Sequence, residues 1–207
     1  MASTTLKTVN WGVMTFFAVG VGLYALGFFF VDQFGAKELK AHFATVPVIA
    51  YLHIIPGGIA LILGAFQFNE GLRRKRPALH RRMGQFYVAA VALGGIGGVL
   101  LAWYATQPPA TRLGFGSLGV LWLVSCYFAY THARARNFDQ HRAWMIRCYA
   151  LTLAAVTLRL QLPILQAGMG LSFFEAYQVV AWFCWVPNLV IAEWLIVNRS
   201  RAREVAA

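Results

Sequence analysis

Six long apolar runs follow one another along the chain, each set off by a polar segment. They cover Trp11–Val31, Val46–Phe68, Met83–Tyr104, Leu113–Tyr130, Ala143 to about Leu165, and Phe173–Val197. The apolar residues come in blocks rather than in stripes at helical spacing. Each block approaches the roughly 20 residues that an α-helix needs to cross a bilayer. The pattern predicts an all-α polytopic membrane protein, six transmembrane helices in one transmembrane domain over residues 1–207. The first run is not read as a signal peptide: only Lys7 precedes it, and the run is long. The intervening segments are read as loops, including the mixed-charge stretch Asp32–Thr45 that carries His42.

Two of the polar segments repeat each other. Arg73–Gly84 reads RRKRPALHRRMG, and Arg134–Arg147, 61 residues later, reads RARNFDQHRAWMIR. Arg73 falls on Arg134, Lys75 on Arg136, His80 on His141 and Arg81 on Arg142. Both segments stand directly before an apolar run. The match suggests a core of two repeated helix hairpins, residues 46–104 (spans two and three) and 113–165 (spans four and five). The alternative is that basic loops between spans resemble one another without common origin.

Composition sharpens this picture. The chain is 59% hydrophobic and 12% charged, about half the charged share of a soluble domain. The net charge of +11 does not indicate a nucleic-acid partner, because the basic residues lie between spans, where anionic lipid accounts for them. The Asn69–Arg82 segment holds six Lys or Arg, Thr131–Arg142 three, and the tail three (Arg199, Arg201, Arg203). The other three loops hold only Lys37, Lys40 and Arg112. The positive-inside rule then places both termini and both His-Arg segments in the cytoplasm. Trp103, Trp144 and Trp194 stand near span ends, as interfacial aromatics do. Cys126, Cys148 and Cys184 all fall inside apolar runs and read as reduced core thiols.

Candidate chemistry centres on histidine. At helical spacing, His80 heads a face with Gly84, Tyr87, Val91, Gly95 and Gly98. His141 heads Met145, Cys148, Thr152 and Ala155, and His53 heads Gly57, Ala60 and Gly64. Small residues let helices pack closely and also leave room for a flat ligand. His80 and His141 share one height at the start of their spans. His53 lies roughly 10 Å below the other end of span two, so it belongs to a separate, outer site, where Arg159 stands at similar depth. Two neutral imidazoles at equal height are what bis-histidine haem ligation in a bundle requires, and Arg81 and Arg142 are placed to neutralise propionates. The same His-Arg pairs also read as headgroup anchors. Another metal is a third reading, but His132 adds no close ligand spacing. Arg147 is read as snorkelling to the inner face, and Glu193 as meeting the cytoplasmic basic segments. Arg159 lies deeper, with Glu175, His53 or an anionic substrate as candidate partners.

The motifs resemble an uncharacterised family of bacterial integral membrane proteins. Its pattern is H-x-x-x-G, then HR-x-x-G, then HR-x-W-M-I-R with a late arginine in the same span. Here these are His53 with Gly57, His80-Arg81 with Gly84, His141–Arg147, and Arg159. The resemblance implies a multi-pass protein of a bacterial cell membrane and no established activity. In arrangement the chain also resembles the cytochrome b561 family, six-helix proteins that pass electrons between two haems. Their inner haem is held by histidines on spans three and five, which puts His80 and His141 in the ligand positions; His53 is similar to the outer ligand on span two. Span four departs from that pattern, with Gly114 and Gly116 and no histidine near its outer end.

Two functional readings follow. In the first, the chain is a membrane haem b protein in electron transfer, with His80 and His141 as metal ligands. His53 and Arg159 then line a site for a quinone, a reductant or a second cofactor, and the partner is a quinone or another redox protein. In the second, it is a non-enzymatic accessory subunit of a larger membrane complex, a homodimer or a transporter-like bundle, its histidines acting as anchors. A metal-dependent enzyme acting on lipid has no supporting cluster of carboxylates and histidines at one depth.

Overall fold

The computed structural model describes residues 4–31 and 33–204. Asp32, and the side chains of Lys7 and Arg203, lie outside what is described. Regular structure in the described residues is helical. Six segments are long and apolar enough to cross a bilayer: Thr8–Gly27, Pro47–Gln67, Pro77–Tyr104, Pro109–Arg134, Phe138–Gly168 and Phe173–Arg201. The six apolar runs of the sequence are therefore six helical spans. The chain forms two compact units that divide between Leu101 and Ala102.

The first unit contains α1 (Thr4–Gly27), α2 (Lys37–Thr45), α3 (Pro47–Gln67), α4 (Glu70–Lys75) and most of α5 (Pro77–Tyr104). α1 lies along α3, and buried Ala18, Ala25, Ala50, Ala60 and Ala65 make the small core positions of this unit. Trp11 closes the far end of the α1–α3 pair by donating Nε1–H to Ala65 O at 2.9 Å. Two expectations change here. The segment after Asp32 is not all loop, because Lys37–Thr45 is helical and carries His42. The basic segment Asn69–Arg82 is also mostly helical. Asn69 caps α4 by accepting from Leu72 N–H at 2.8 Å, and Pro77 opens α5. Proline suits that first position, where its missing N–H has no intrahelical partner to lose. His80, Arg81 and Arg82 therefore ride on the first turns of α5, not on a loop.

The second unit contains α6 (Pro109–Arg134), α7 (Phe138–Thr152), α8 (Ala154–Pro163), a π-helical turn (Ile164–Gly168), α9 (Phe173–Phe183) and α10 (Val186–Glu204). α6 packs on α7 and α9, α10 on α7, and α8 on α9. The α6–α7 connection is tight. Arg136 N–H reaches Ala133 O at 3.1 Å and Asn137 N–H reaches His132 O at 2.9 Å, the paired bonds of a Schellman cap. Arg136 sits at φ 58°, where glycine is usual. Asn137 then caps α7 by accepting from Gln140 N–H at 3.3 Å.

Both later spans are broken within the bundle. The fifth breaks at Leu153, the sixth at Cys184–Trp185. At the first break Trp122 donates Nε1–H to Thr152 Oγ1 at 2.8 Å. There Asn188 Nδ2 donates to Ala150 O at 3.2 Å and Thr157 Oγ1 at 3.0 Å. At the second, Pro187 has no N–H to offer Phe183 O, and Gln161 Nε2 supplies the donor at 3.1 Å. Side-chain amides thus complete backbone bonds that an apolar solvent cannot.

A left-handed backbone costs a β-carbon about 1–2 kcal/mol, against roughly half that for glycine's lost chain entropy. Arg136→Gly is expected to stabilise the protein by up to about 1 kcal/mol, and Arg136→Val to destabilise it. Denaturant unfolding in detergent followed by circular dichroism measures both; a loss of stability in Arg136→Gly would rule out strain at this cap.

Candidate functional site

In the first unit, His53 projects from α3 onto α5. Its Nδ1 lies 2.7 Å from Gly94 O. A carbonyl only accepts, so Nδ1 carries a proton, and of the two neutral tautomers only the one with Nε2 as imine nitrogen fits the bond. The close approach depends on glycine. A Cβ on Gly97 would stand 2.7 Å from His53 N, and one on Gly98 3.0 Å from His53 Nδ1. The small-residue face of span three was expected to leave room for a flat ligand. At Gly98, on that face, the room is taken by the His53 ring, and beside the face the backbone of Leu52 and His53 lies against Gly97. One turn on from His53 the space is open, since a Cβ on Gly57 would have nothing within 4 Å.

His80 also belongs to the first unit. It is the fourth residue of α5, and its N–H bonds Arg76 O at 3.1 Å. Its Nδ1 is shielded from solvent. One turn on, a Cβ at Gly84 would meet Gln67 Oε1 at 3.6 Å, an ordinary contact. Gln67 is buried, and its Nε2 is a buried atom with no hydrogen-bond partner among the described residues. Arg81 is exposed.

His141 and Arg159 belong to the second unit. His141 is the fourth residue of α7, and its N–H bonds Asn137 O at 2.9 Å. It therefore holds the same place in its helix as His80 does in α5. Its Nδ1 lies 2.7 Å from Ala129 O on α6. As at His53, this puts a proton on Nδ1, so that of the two neutral tautomers only the one with Nε2 as imine nitrogen fits the bond. Arg142, next along, is half-buried. Arg159 Nη1 donates to Ala155 O of its own helix at 2.9 Å. Glu175 closes a capping box with Ser172, accepting its N–H at 2.9 Å and its hydroxyl at 2.7 Å.

Arg147, read from the sequence as snorkelling, is partnered within the protein. It forms a two-pronged pair with Glu193 of α10, Nε to Oε1 at 2.5 Å and Nη2 to Oε2 at 2.7 Å. Its guanidinium also lies 4.7 Å from the Trp144 ring centre, and Trp144 stacks on Phe128. Glu193 thus meets span five rather than the basic segments. The fork geometry fits arginine and carboxylate, and the pair ties spans five and six together. Sequence reasoning missed it because 46 residues separate the partners. It also missed Gln161, Asn188 and the Trp122–Thr152 bond. Only Pro187, inside an apolar run, signals that a backbone acceptor there needs another donor. Among the described residues, no three His, Cys, Asp or Glu side chains gather to hold a metal ion. What the site offers is single imidazoles, two of them, His53 and His141, aimed by a carbonyl.

A family model described as "Predicted membrane protein (DUF2306)" matches residues 50–196. The chain belongs to this family. The match takes in spans two to five and most of span six, and with them His53, His80, His141, Arg147, Arg159 and Glu193. It agrees with the membrane family suggested by the HR motifs, and the description carries no activity. No curated protein and no solved structure matches the chain. Family and fold together make this a multi-pass membrane protein.

Gly97→Ala must push a β-carbon into backbone, so a cost of about 1–3 kcal/mol is expected, whereas Gly84→Ala should stay within about 0.5 kcal/mol of wild type. Unfolding in detergent compares them, and equal costs would show that α3 and α5 are not in close contact at His53. A double-mutant cycle on Arg147→Ala and Glu193→Ala should give a coupling of roughly 1–2 kcal/mol, reduced from a fully buried pair by partial exposure. A coupling near zero would show that the pair does not hold the spans.

Proposed function

We propose that the chain is a membrane haem b protein in electron transfer, similar in arrangement to the cytochrome b561 family, with His80 and His141 as axial imidazoles. One observation carries this reading: the 2.7 Å bond from His141 Nδ1 to Ala129 O. Metal-bound histidines nearly always donate their other ring N–H to a carbonyl or carboxylate, which fixes the tautomer and raises ligand basicity. His141 is held in that form, so its Nε2 fits an axial ligand. His80 is matched to it by the sequence repeat and by its equal place in α5. When bound, haem supplies one-electron chemistry with a potential set by its axial ligands. The protein's own part is to hold the two rings, and to place Arg81 and Arg142 for the propionates.

His53 has the same carbonyl-fixed tautomer and open space beside it at Gly57, which supports it as a ligand at an outer site. Arg159 is the proposed anion-binding group of the second unit. The proposal places the protein in a bacterial inner membrane, with both termini and the basic segments in the cytoplasm and a quinone or redox protein as partner. A transporter-like or accessory role is the second reading, and the broken fifth and sixth spans favour it, since transporters build sites from such breaks. Against it, the carbonyls of Ala150 and Phe183 already accept side-chain amides.

Full-length protein purified from its native membrane is expected to show a Soret band that shifts on adding dithionite. His141→Ala should remove or shift that band, and His53→Ala should leave it in place. No such band, either as purified or after haem supplementation, would end the haem reading.

A further inference from the structure

The elbow that joins α3 to α5, residues 69–82, carries six Lys or Arg and a single acid. That acid, Glu70, lies 3.8 Å from Arg73 Nη2. Arg74, Lys75, Arg76 and Arg82 are all exposed, and the elbow holds no further carboxylate for them. Orientation alone does not call for this density, since the matching segment Thr131–Arg142 carries three cations.

The backbone fixes where these charges stand. Asn69 caps α4. Arg76 N–H bonds Leu72 O at 2.8 Å, and Arg76 O accepts from His80 N–H at 3.1 Å. α4 thus runs straight into α5, with Arg76 at the junction. Arg82 has a particular place on α5. At spacings of three and four it shares one stripe with Leu79, Phe86, Ala89, Leu93 and Ile96. Every member of that stripe is exposed. From Arg82 to Leu93 the helix rises about 16 Å, close to one leaflet of a hydrocarbon core roughly 30 Å thick. The stripe therefore carries a cation at one end and apolar side chains over the length of an acyl chain. Arg81 stands about 100° round the helix from it.

We propose that this elbow and stripe bind one anionic phospholipid with two phosphates in its headgroup, of the diphosphatidylglycerol kind. Arg82 takes one phosphate, the cations at and before Arg76 take the other, and acyl chains lie along Phe86, Leu93 and Ile96. Charge selects the lipid. Arginine pairs with phosphate through two parallel N–H bonds, and a headgroup with one phosphate meets only one of the two groups of cations. A soluble acidic protein would use the cations but not the apolar stripe aligned with Arg82. The site uses neither the histidines nor Arg81, so it stands whether or not haem binds.

Photolabelling of the full-length protein tests it, in phosphatidylethanolamine vesicles doped with diphosphatidylglycerol that carries a diazirine in one acyl chain. Attachment sites are read by mass spectrometry. Label is expected on α5 between Phe86 and Ile96. Unlabelled diphosphatidylglycerol should compete about tenfold better than phosphatidylglycerol at equal phosphate, and phosphatidylcholine should not compete. Replacing Arg76→Gln and Arg82→Gln together should lower the α5 label about tenfold. Arg136→Gln with Arg201→Gln, which removes the same charge from the second unit, should leave it unchanged. Equal competition by phosphatidylglycerol overturns the two-phosphate assignment. Label spread evenly over the spans, or an equal loss from both pairs of substitutions, overturns the site. Absence of label from α5 overturns the lipid and leaves the patch to an acidic protein. The lipid competition needs no variant, so a substitution that fails to fold does not shelter the proposal.

Discussion

A backbone carbonyl without a donor is costly anywhere in a protein, and in hydrocarbon there is no water to rescue it. The second unit is organised by that constraint. Pro187 removes one donor in the sixth span, and Gln161 of the fifth replaces it. Where the fifth span breaks at Leu153, Asn188 of the sixth reaches Ala150. The exchange runs both ways, so each broken helix is completed by the other. The Arg147–Glu193 fork adds a third tie between the same two spans. At both breaks the irregular backbone is therefore satisfied by side chains, as an apolar solvent requires.

Carbonyls that already serve a helix have a second lone pair, and both carbonyl-bound histidines use one. His53 reaches across to Gly94 and His141 across to Ala129. Each bond fixes the rotation of a ring between two helices and decides which nitrogen carries the proton. Close helix approach makes this geometry possible. At His53 that approach exists because Gly97 and Gly98 have no side chains to keep α5 away. Small residues here serve helix contact directly, and the imidazole occupies the space they leave.

Much of the architecture is legible in the chain. Six apolar blocks become six spans, because a block near 20 residues leaves a helix few alternatives in a bilayer. Span ends are less legible. Charge marks Arg81 and Arg82 as loop residues, yet a helix opened by Pro77 carries them out past the apolar block. Hydropathy reports where the lipid is, whereas caps and prolines decide where a helix starts. Arg147 shows another limit. A lone arginine near a span end reads as snorkelling, and only the fold brings Glu193 to it. The histidines were picked out by residue type and spacing. Their tautomers were not, because those depend on carbonyls of helices 12 and 41 residues away.

The proline in the sixth span bears on how the protein enters its membrane. Span six, released into lipid by itself, would carry Phe183 O bare, and span five would carry the Gln161 amide bare. Span five is made first, so it must wait for its neighbour with a polar group exposed to hydrocarbon or held elsewhere. The two spans are thus suited to leave the insertion machinery together, as one hairpin, because only as a pair do the Phe183 carbonyl and the Gln161 N–H satisfy each other.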